Sequence, residues 1–465
     1  MNFLSKIEKY SSNVCLIDEN KKVFYYKDIL KISKNTSKNL KRKKLIFVLA
    51  QNHIEFITSY IGFFRKGLVQ MIIDPKIENK LLRDLIKYYL PYYIFLPISK
   101  KINIKDYIFF SGLKKHKILK FKKKVNYPIN KDLALLLSTS GSTGSKKFVK
   151  LSYKNIYDNT KNIVKYLKIN QNHRTITTMP PFYTYGLSII NTHLYMGASI
   201  FVNNIRIIEK VFWKLFKEFR ITSFGGVPYF YEIIKKLNFH KMNLPSLKYF
   251  TQAGGPLNRE LTKYFLHYAE TNKIIFIVMY GQVEATSRIS YLPYKMSKKK
   301  LGSIGIPIPG GKIRLENAKS NDDTKGEIVY EGKNVSMGYA KNFGDLEKDD
   351  ENQGILKTGD LAIKDDNGYL YITGRKSRNV KLFGHRVNLD ELEQILFKKG
   401  YNCLCSGNDN RVVIFHTNKD YDHQIVKYLS KKTNFRLDCF QLKYIKEFPL
   451  NEIGKISYKK LEKFL

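Results

Sequence analysis

Short runs that are apolar at every position, alternating with helix-length segments, constrain this chain more than any other feature. Leu45–Ala50 (LIFVLA) and Val69–Ile73 flank His53–Arg65, a segment that reads as a helix. Leu133–Leu137 (LALLL), Ile200–Val202 and Ile274–Met279 (IIFIVM) repeat the pattern. A strand without a polar face must be covered on both sides, which predicts parallel sheets joined by helical crossovers, an α/β fold. From about Gly302 the texture changes to shorter strands and tight turns: Lys325–Tyr330, then Asp366-Asn367-Gly368 as a hairpin signal ahead of Tyr369–Thr373. After Gly374 a smaller α+β unit begins. It opens on a charged loop, passes through a helix at Leu389–Lys398 and ends on Leu461–Leu465. Domains are thus expected at 1–373 and 374–465.

One of the apolar runs leads into an unusual loop. Leu133–Leu137 is followed by Ser138-Thr139-Ser140-Gly141-Ser142-Thr143-Gly144, then by basic residues and a helix expected at Tyr153–Tyr166. Seven consecutive small or hydroxylated residues build no core. They suit close approach of backbone N–H groups and hydroxyls to an anion, with Lys147 as a mobile cation for outer phosphate oxygens. The spacing is not that of a P-loop, because the lysine comes three residues after the last glycine.

Charge points first to a polyanionic partner and then away from one. The 465 residues carry 82 Lys+Arg against 40 Asp+Glu, a formal charge of +42. Only 14 of the basic residues are arginine, leaving 82 − 14 = 68 lysines. The chain is equally rich in Ile, Asn, Tyr and Phe, residues with A/T-rich codons, so base composition accounts for the lysines without a nucleic-acid partner. Clusters at Lys41–Lys44, Lys114–Lys124 and Lys298–Lys300 read as solvated loops. The four cysteines (Cys15, Cys403, Cys405, Cys439) lack disulfide-framework or zinc-site spacing and read as buried thiols. The N-terminus lacks a signal-peptide core, and no apolar run approaches the roughly 18–20 residues of a membrane span, so a cytoplasmic protein is expected.

Motifs in order along the chain resemble those of the adenylate-forming enzymes: acyl-CoA synthetases, peptide-synthetase adenylation domains and luciferases. Thr139–Lys147 is similar to their phosphate-binding signature, with Lys146 in place of proline and Phe148 in place of glycine. Met179–Leu187 (MPPFYTYGL) resembles the acyl-pocket segment, Gln252–Leu257 (QAGGPL) the adenine-contacting turn, and Tyr280–Ala285 (YGQVEA) the Y-G-x-T-E signature with Val283 for threonine. Thr358-Gly359-Asp360, Gly374-Arg375 through Gly384 to Glu393, and Asn451–Leu461 (NEIGKISYKKL) complete the set. The resemblance spans essentially the whole chain. It implies a large N-terminal domain of parallel-rich sheets with a distorted β-barrel subdomain, and a small mobile α+β C-terminal domain.

The same resemblance implies an ATP-dependent ligase that activates a carboxylate as acyl-AMP, releases pyrophosphate and passes the acyl group to a thiol. Thr139, Ser140, Gly141, Ser142, Thr143, Gly144 and Lys147 would hold the β- and γ-phosphates. Glu284 would hold Mg²⁺, a hard cation suited to one carboxylate plus phosphate oxygens. Gly254, Gly255, Tyr280, Gly281 and Gln282 would contact the adenine side, Asp360 the ribose hydroxyls, and Arg375 ribose or phosphate. Lys455, after the turn-permitting Gly454, would carry the adenylation step. The hinge would fall at Ser377, where the family has Asp or Lys, and Gly384 and Arg386 would approach the thiol partner.

The acyl substrate is less defined. Tyr183, Tyr185 and Gly186 occupy the pocket segment. Tyr183 stands where peptide-synthetase domains keep an aspartate for an amino group, which disfavours an amino acid:carrier-protein ligase. The tyrosines suit an uncharged, hydroxylated or short acyl group, or serve as packing. The acceptor is coenzyme A or the phosphopantetheine of an acidic carrier protein. Two other classes stay open: a catalytically degraded scaffold, suggested by Lys146, Phe148 and Val283, and a basic nucleic-acid-binding protein, whose affinity would fall steeply with salt.

Overall fold

The computed structural model describes residues 3–123, 125–138, 147–316, 324–376, 378–382, 385–408, 411–451 and 454–465. The chain divides into two compact units. The first comprises Met1–Leu301, Pro307–Lys312 and Glu331–Leu356; the second comprises Gly302–Ile306, Ile313–Tyr330 and Lys357–Leu465.

Two sheets organise the first unit, each with a parallel heart. In one, Ile275–Tyr280, Tyr249–Gln252, Ser223–Gly226, Arg174–Ile176, Ser199–Val202 and Val14–Asp18 run parallel in that spatial order. Ser290–Tyr291 and Val23–Tyr25 add antiparallel strands on either side. In the other, Leu133–Ser138, Val69–Ile73, Leu45–Leu49 and Tyr93–Pro97 run parallel, again in spatial order. These are the apolar runs of the sequence, and every residue of Leu45–Leu49 and Val69–Ile73 is buried.

Alternation along a strand sends side chains to opposite faces, and both faces are covered here. Ile46 and Val48 enter a core shared with the helices Tyr26–Ser37, Ile54–Lys66, Tyr153–Leu167 and Thr184–Tyr195. Leu45, Phe47 and Leu49 enter another core, beneath the helix Asn79–Tyr89. A third core, rich in phenylalanine, joins the first sheet to the helices Lys210–Glu218, Pro228–Lys236 and Arg259–Thr271.

The helix expected after the glycine-rich segment is present from Tyr153, and ahead of it Phe148–Ser152 forms a strand, not read from sequence, antiparallel to Leu133–Ser138, with Phe148 opposite Ser138. The helix Tyr153–Leu167 follows at once, capped by reciprocal Ser152 and Asn155 side-chain bonds. The basic stretch from Lys114 is not simply a solvated loop, since His116–Phe121 is a strand antiparallel to Tyr93–Pro97. Its entry is fixed by Glu55, which accepts from Lys115 N–H and pairs with His116 Nδ1 at 2.8 Å. His53 Nδ1 in turn accepts from Glu55 N–H at the start of the helix Ile54–Lys66. This His–Glu–His cluster caps the helix and anchors the strand, and it leaves His116 Nε2 buried without a partner.

The second unit opens with a sheet in the order Gly311–Glu316, Lys325–Gly332, Ile355–Lys364, Leu370–Arg375. Its last two strands are the hairpin expected at Asp366-Asn367-Gly368, with Gly368 at φ +80°. The ribbon Asn379–Leu382/His385–Asn388 follows, then the helix Leu389–Lys398 at the boundaries read from sequence. A three-stranded sheet (Cys403–Gly407, Val412–His416, Phe440–Tyr444) and the helix Gln424–Thr433 complete its core, in which Cys403, Cys405 and Cys439 are buried free thiols. No helix among the described residues is long and apolar enough to cross a membrane.

Candidate functional site

In the first unit, residues from two separate motifs meet. Lys147, just before the strand Phe148–Ser152, places its ammonium 3.4 Å from the centre of the Tyr339 ring. The Tyr339 hydroxyl donates to Glu284 Oε1 at 3.0 Å. Tyr339 is held because Tyr339–Ala340 pairs with Val149 and Phe148. Burial, then the Glu284 carboxylate, pushes the Tyr339 phenol up, so it remains a proton donor. Glu284 sits on a single 3₁₀ turn, Val283–Ala285, whose Glu284 carbonyl accepts from Ser336 N–H. A cation and a carboxylate bridged by a phenol form a group able to meet a phosphate and its metal ion.

Tyr280 ends the strand Ile275–Tyr280, and Gly281 follows it because nothing larger fits: a β-carbon there would lie 2.0 Å from the Ser287 carbonyl oxygen. Gln282 extends its amide towards the Tyr280 hydroxyl, at 3.5 Å. On the neighbouring strand Gln252 Nε2 donates to the Gly255 carbonyl, closing a turn in which Gly254 has φ +91°. Neighbouring parallel strands therefore end in the QAGGPL and YGQVEA segments, on the carboxyl side, where ligands of open α/β sheets bind.

The acyl-pocket segment divides by burial. Tyr183 is half-buried and precedes the helix Thr184–Tyr195. Tyr185 is fully buried, and its hydroxyl pairs with the Thr251 side chain at 2.7 Å and carbonyl at 2.8 Å. Gly186 is required by packing, since a β-carbon would meet the Pro180 carbonyl oxygen at 2.3 Å.

The second unit gathers three more of the residues singled out from sequence. Asp360 and Arg375 are register partners across the hairpin, and Arg375 Nε bonds Asp360 Oδ1 at 2.7 Å. The carboxylate is buried while the arginine is largely exposed. Sequence reasoning missed Glu327, a buried carboxylate that accepts from Gly359 N–H at 3.0 Å and pairs with Lys376, thereby holding the turn before Asp360. Lys455 lies in a turn in which Asn451 Oδ1 accepts its N–H and Gly454 adopts φ +73°. The residue as a whole is half-exposed, but its ammonium is enclosed. Burial, reinforced by the Arg375 guanidinium, pushes it down to about 8.

Three residues after Lys455, Tyr458 joins a charged cluster to which the sequence assigned no role. Arg378 pairs with Asp390 and Glu393 and lies over the Tyr458 ring at 3.6 Å, while the Tyr458 hydroxyl donates to Glu393 Oε2. Thr139, Ser140, Gly141, Ser142, Thr143, Gly144, Ser377 and Gly384 lie outside the described residues, as does the Arg386 side chain.

Residues 8–340 match the family described as AMP-binding enzyme. A 2-succinylbenzoate–CoA ligase of Bacillus licheniformis is 28% identical over 268 residues, 57% of this chain and 54% of that protein. An oxalate–CoA ligase of Arabidopsis thaliana is 28% identical over 280 residues, 58% of this chain and 53% of that one. The chain thus spans about half the length of the curated relatives it matches. Among solved structures, the o-succinylbenzoate CoA synthetase of Bacillus subtilis in complex with ATP and magnesium superposes with a TM-score of 0.79 at 19% identity, covering 99% of each chain. ATP-bound MatB from Rhodopseudomonas palustris gives 0.78 at 17% identity, over 100% of this chain and 98% of that one. These likenesses establish the fold, and with the match over residues 8–340 the chain belongs to the AMP-binding enzyme family.

Proposed function

We propose that this chain is an ATP-dependent, AMP-forming acid–thiol ligase: it joins a carboxylate to AMP, releases pyrophosphate, and passes the acyl group to coenzyme A. The observation that carries the reading is the Lys147–Tyr339–Glu284 chain of contacts, which unites a cation and a carboxylate from two distant motifs. Coenzyme A is preferred to a carrier protein because the relatives are named as CoA ligases.

In this reading the carboxylate oxygen attacks the α-phosphorus in line. Negative charge grows on the phosphoryl oxygens and the departing pyrophosphate, and neutralising it is most of the catalysis. Lys147 serves the outer phosphates together with Thr139–Gly144. Glu284, whose second oxygen is not used by Tyr339, suits Mg²⁺; the ion supplies charge neutralisation on phosphate oxygens. Asp360 takes the ribose hydroxyls and Arg375 ribose or phosphate, while Gly254, Gly255, Tyr280, Gly281 and Gln282 serve the adenine side. Residues 1–373 and 374–465 are proposed as the working domains, in a cytoplasmic protein.

A panel of carboxylic acids in ATP–pyrophosphate exchange tests the reading, with hydroxylamine trapping of the activated acyl group as a second readout. Exchange dependent on one class of acid is expected. Absence of exchange with every acid, alongside nucleic-acid affinity that falls with salt, would overturn it. Asp360→Asn keeps the side chain's shape but removes its charge. It is expected to raise KM for ATP by about ten- to hundredfold with a smaller change in KM for the acid, since hydrogen bonds to a charged group are the stronger kind.

A further inference from the structure

Three residues beyond the Tyr280–Ala285 motif stands Arg288, 3% exposed. Its Nη1 donates to Ser287 Oγ at 2.9 Å and to the Ser287 carbonyl at 3.2 Å, and its Nη2 reaches Ser188 Oγ at 3.4 Å. The guanidinium carbon lies 4.6 Å from the centre of the Tyr185 ring. Every one of these partners is neutral. The buried Nε meets at most the Tyr166 hydroxyl, also neutral, and no Asp or Glu among the described residues forms an ion pair with this arginine. The segment Thr139–Lys146 contains no acidic residue. A guanidinium withdrawn from water without an anion is costly to the fold, and such a group persists where an anion completes it.

A cavity adjoins it. About 20 Å³ is open to the centre of a water-sized sphere, between Arg288, Thr175, His193, Ser223, Tyr249 and Thr251. Much of the wall is apolar, from Ile163, Leu167, Ile169, Phe224 and Met279, and the polar groups that face the space are under-used. His193 Nε2 has no partner, and the Ser223 and Tyr249 hydroxyls have at most each other. His193 Nδ1 faces the Ile189 carbonyl at 2.8 Å, and burial holds the imidazole down to about 4, so it adds no positive charge at neutral pH. Arg288 is the one formal cation among the lining residues. That exceeds what a single water needs, roughly 10–15 Å³ even when its whole sphere is counted, so a small anion such as a carboxylate fits beside the guanidinium. Guanidinium, unlike ammonium, matches a planar two-oxygen anion.

We infer that this cavity receives a second carboxylate of the acid that the chain activates, so that the substrate is a compact dicarboxylic acid held at its far end by Arg288. The inference rests on the ligase reading for the word substrate, and on the buried guanidinium and its cavity for the class. Tyr185, from the acyl-pocket segment, stacks on the guanidinium, which ties the cavity to that segment. The expectation of an uncharged acyl group gives way to a charged one, because Tyr183 and Tyr185 could be read from sequence as pocket residues but the arginine behind them could not.

The test pairs acids of equal length, succinate against butyrate and glutarate against valerate, in two assays on the full chain. The first is ATP–pyrophosphate exchange. The second is thermal stabilisation without ATP. Wild type is expected to prefer the diacid in both, and Arg288→Gln to reduce the diacid-to-monoacid ratio of kcat/KM by about tenfold or more, the value of a charge-assisted bond. Arg288→Met is expected to melt no lower than wild type without ligand, because an unpaired buried charge has been removed, and to lose diacid stabilisation. Exchange that favours the monoacids, or a ratio unchanged in Arg288→Gln, would overturn the inference and leave the ligase reading standing. Diacid stabilisation lost in Arg288→Gln, but with no exchange for any acid, would overturn the ligase reading and leave the diacid site. Stabilisation by acetate or inorganic phosphate as large as by the diacid, or an Arg288→Met variant that melts well below wild type and responds to ligand as wild type does, would overturn the inference.

Discussion

Replacing Lys455 with alanine is expected to lower carboxylate-dependent ATP–pyrophosphate exchange by about two to four orders of magnitude, the loss seen when a charge aimed at a phosphoryl transition state is removed. The turn that presents it is built for one residue. Asn451 accepts the Lys455 N–H, and the Asn451 N–H bonds the Lys455 carbonyl. Both bonds use backbone atoms at position 455, so alanine leaves them intact and the loss belongs to the ammonium. The titration supplies a second signature. The ammonium is depressed to about 8 from the ordinary 10.5, by burial first and by Arg375 second. The charged form is therefore lost as pH rises through about 8, and exchange should fall with a one-proton slope above that value.

The same depression acts on stability with the opposite sign. Below about 8 the folded protein carries an enclosed charge that the unfolded chain holds more easily in water. That cost is relieved as pH rises from about 8 towards 10.5, where the unfolded lysine also loses its proton. Lys455→Met should therefore be at least as stable as wild type at pH 7, which separates a catalytic loss from unfolding. Exchange near wild-type rate in Lys455→Ala, or a pH profile that stays flat to pH 9.5, would remove the residue from the reaction.

How much of this was readable beforehand depends on what each residue signals locally. The parallel strands and the helix Leu389–Lys398 were legible because burial on both faces leaves continuous apolar runs and a helix leaves a 3.6-residue period. Phe148–Ser152 was not, because its sequence, FVKLS, holds a lysine that looks solvated. Lys150 is in fact wholly buried, with its ammonium near the Lys348 and Asp349 carbonyls and 3.4 Å from Glu351. Lys147 stood out beside its glycine-rich loop, whereas Glu284, Asp360, Arg375 and Lys455 could be singled out only through the order of their motifs. Glu327 and Arg288 carry no motif, Arg378 lies within one that gives it no role, and one buried cation among 82 basic residues looks like the rest until its surroundings are known.

Phe250→Ala is expected to cost the first unit about 3–5 kcal/mol, the range for emptying a large aromatic from a packed interior. Phe250 lies at the centre of the strand Tyr249–Gln252 and is wholly buried. It stacks on Phe276 at 4.7 Å and on Phe224 at 5.4 Å, its neighbours on the two flanking strands, with Phe239, Phe265 and Tyr268 around them. These rings come from three parallel strands and from separate helical segments, so no single side chain can move in to fill the void, and the cost should fall in the upper half of that range. The strand also carries Thr251 and Gln252. Thr251 takes the hydroxyls of both Tyr185 and Tyr231 on its carbonyl, and Gln252 closes the Gly254-Gly255 turn. A register that loosens at Phe250 should therefore disturb the acyl-pocket segment and the adenine-side turn together. Urea denaturation would report the stability, and exchange measured well below the transition would report the site. A loss under 1 kcal/mol would mean the aromatic cluster repacks freely. A full loss with KM values for ATP and acid unchanged would mean the cluster supports the sheet but not the turns at its carboxyl end.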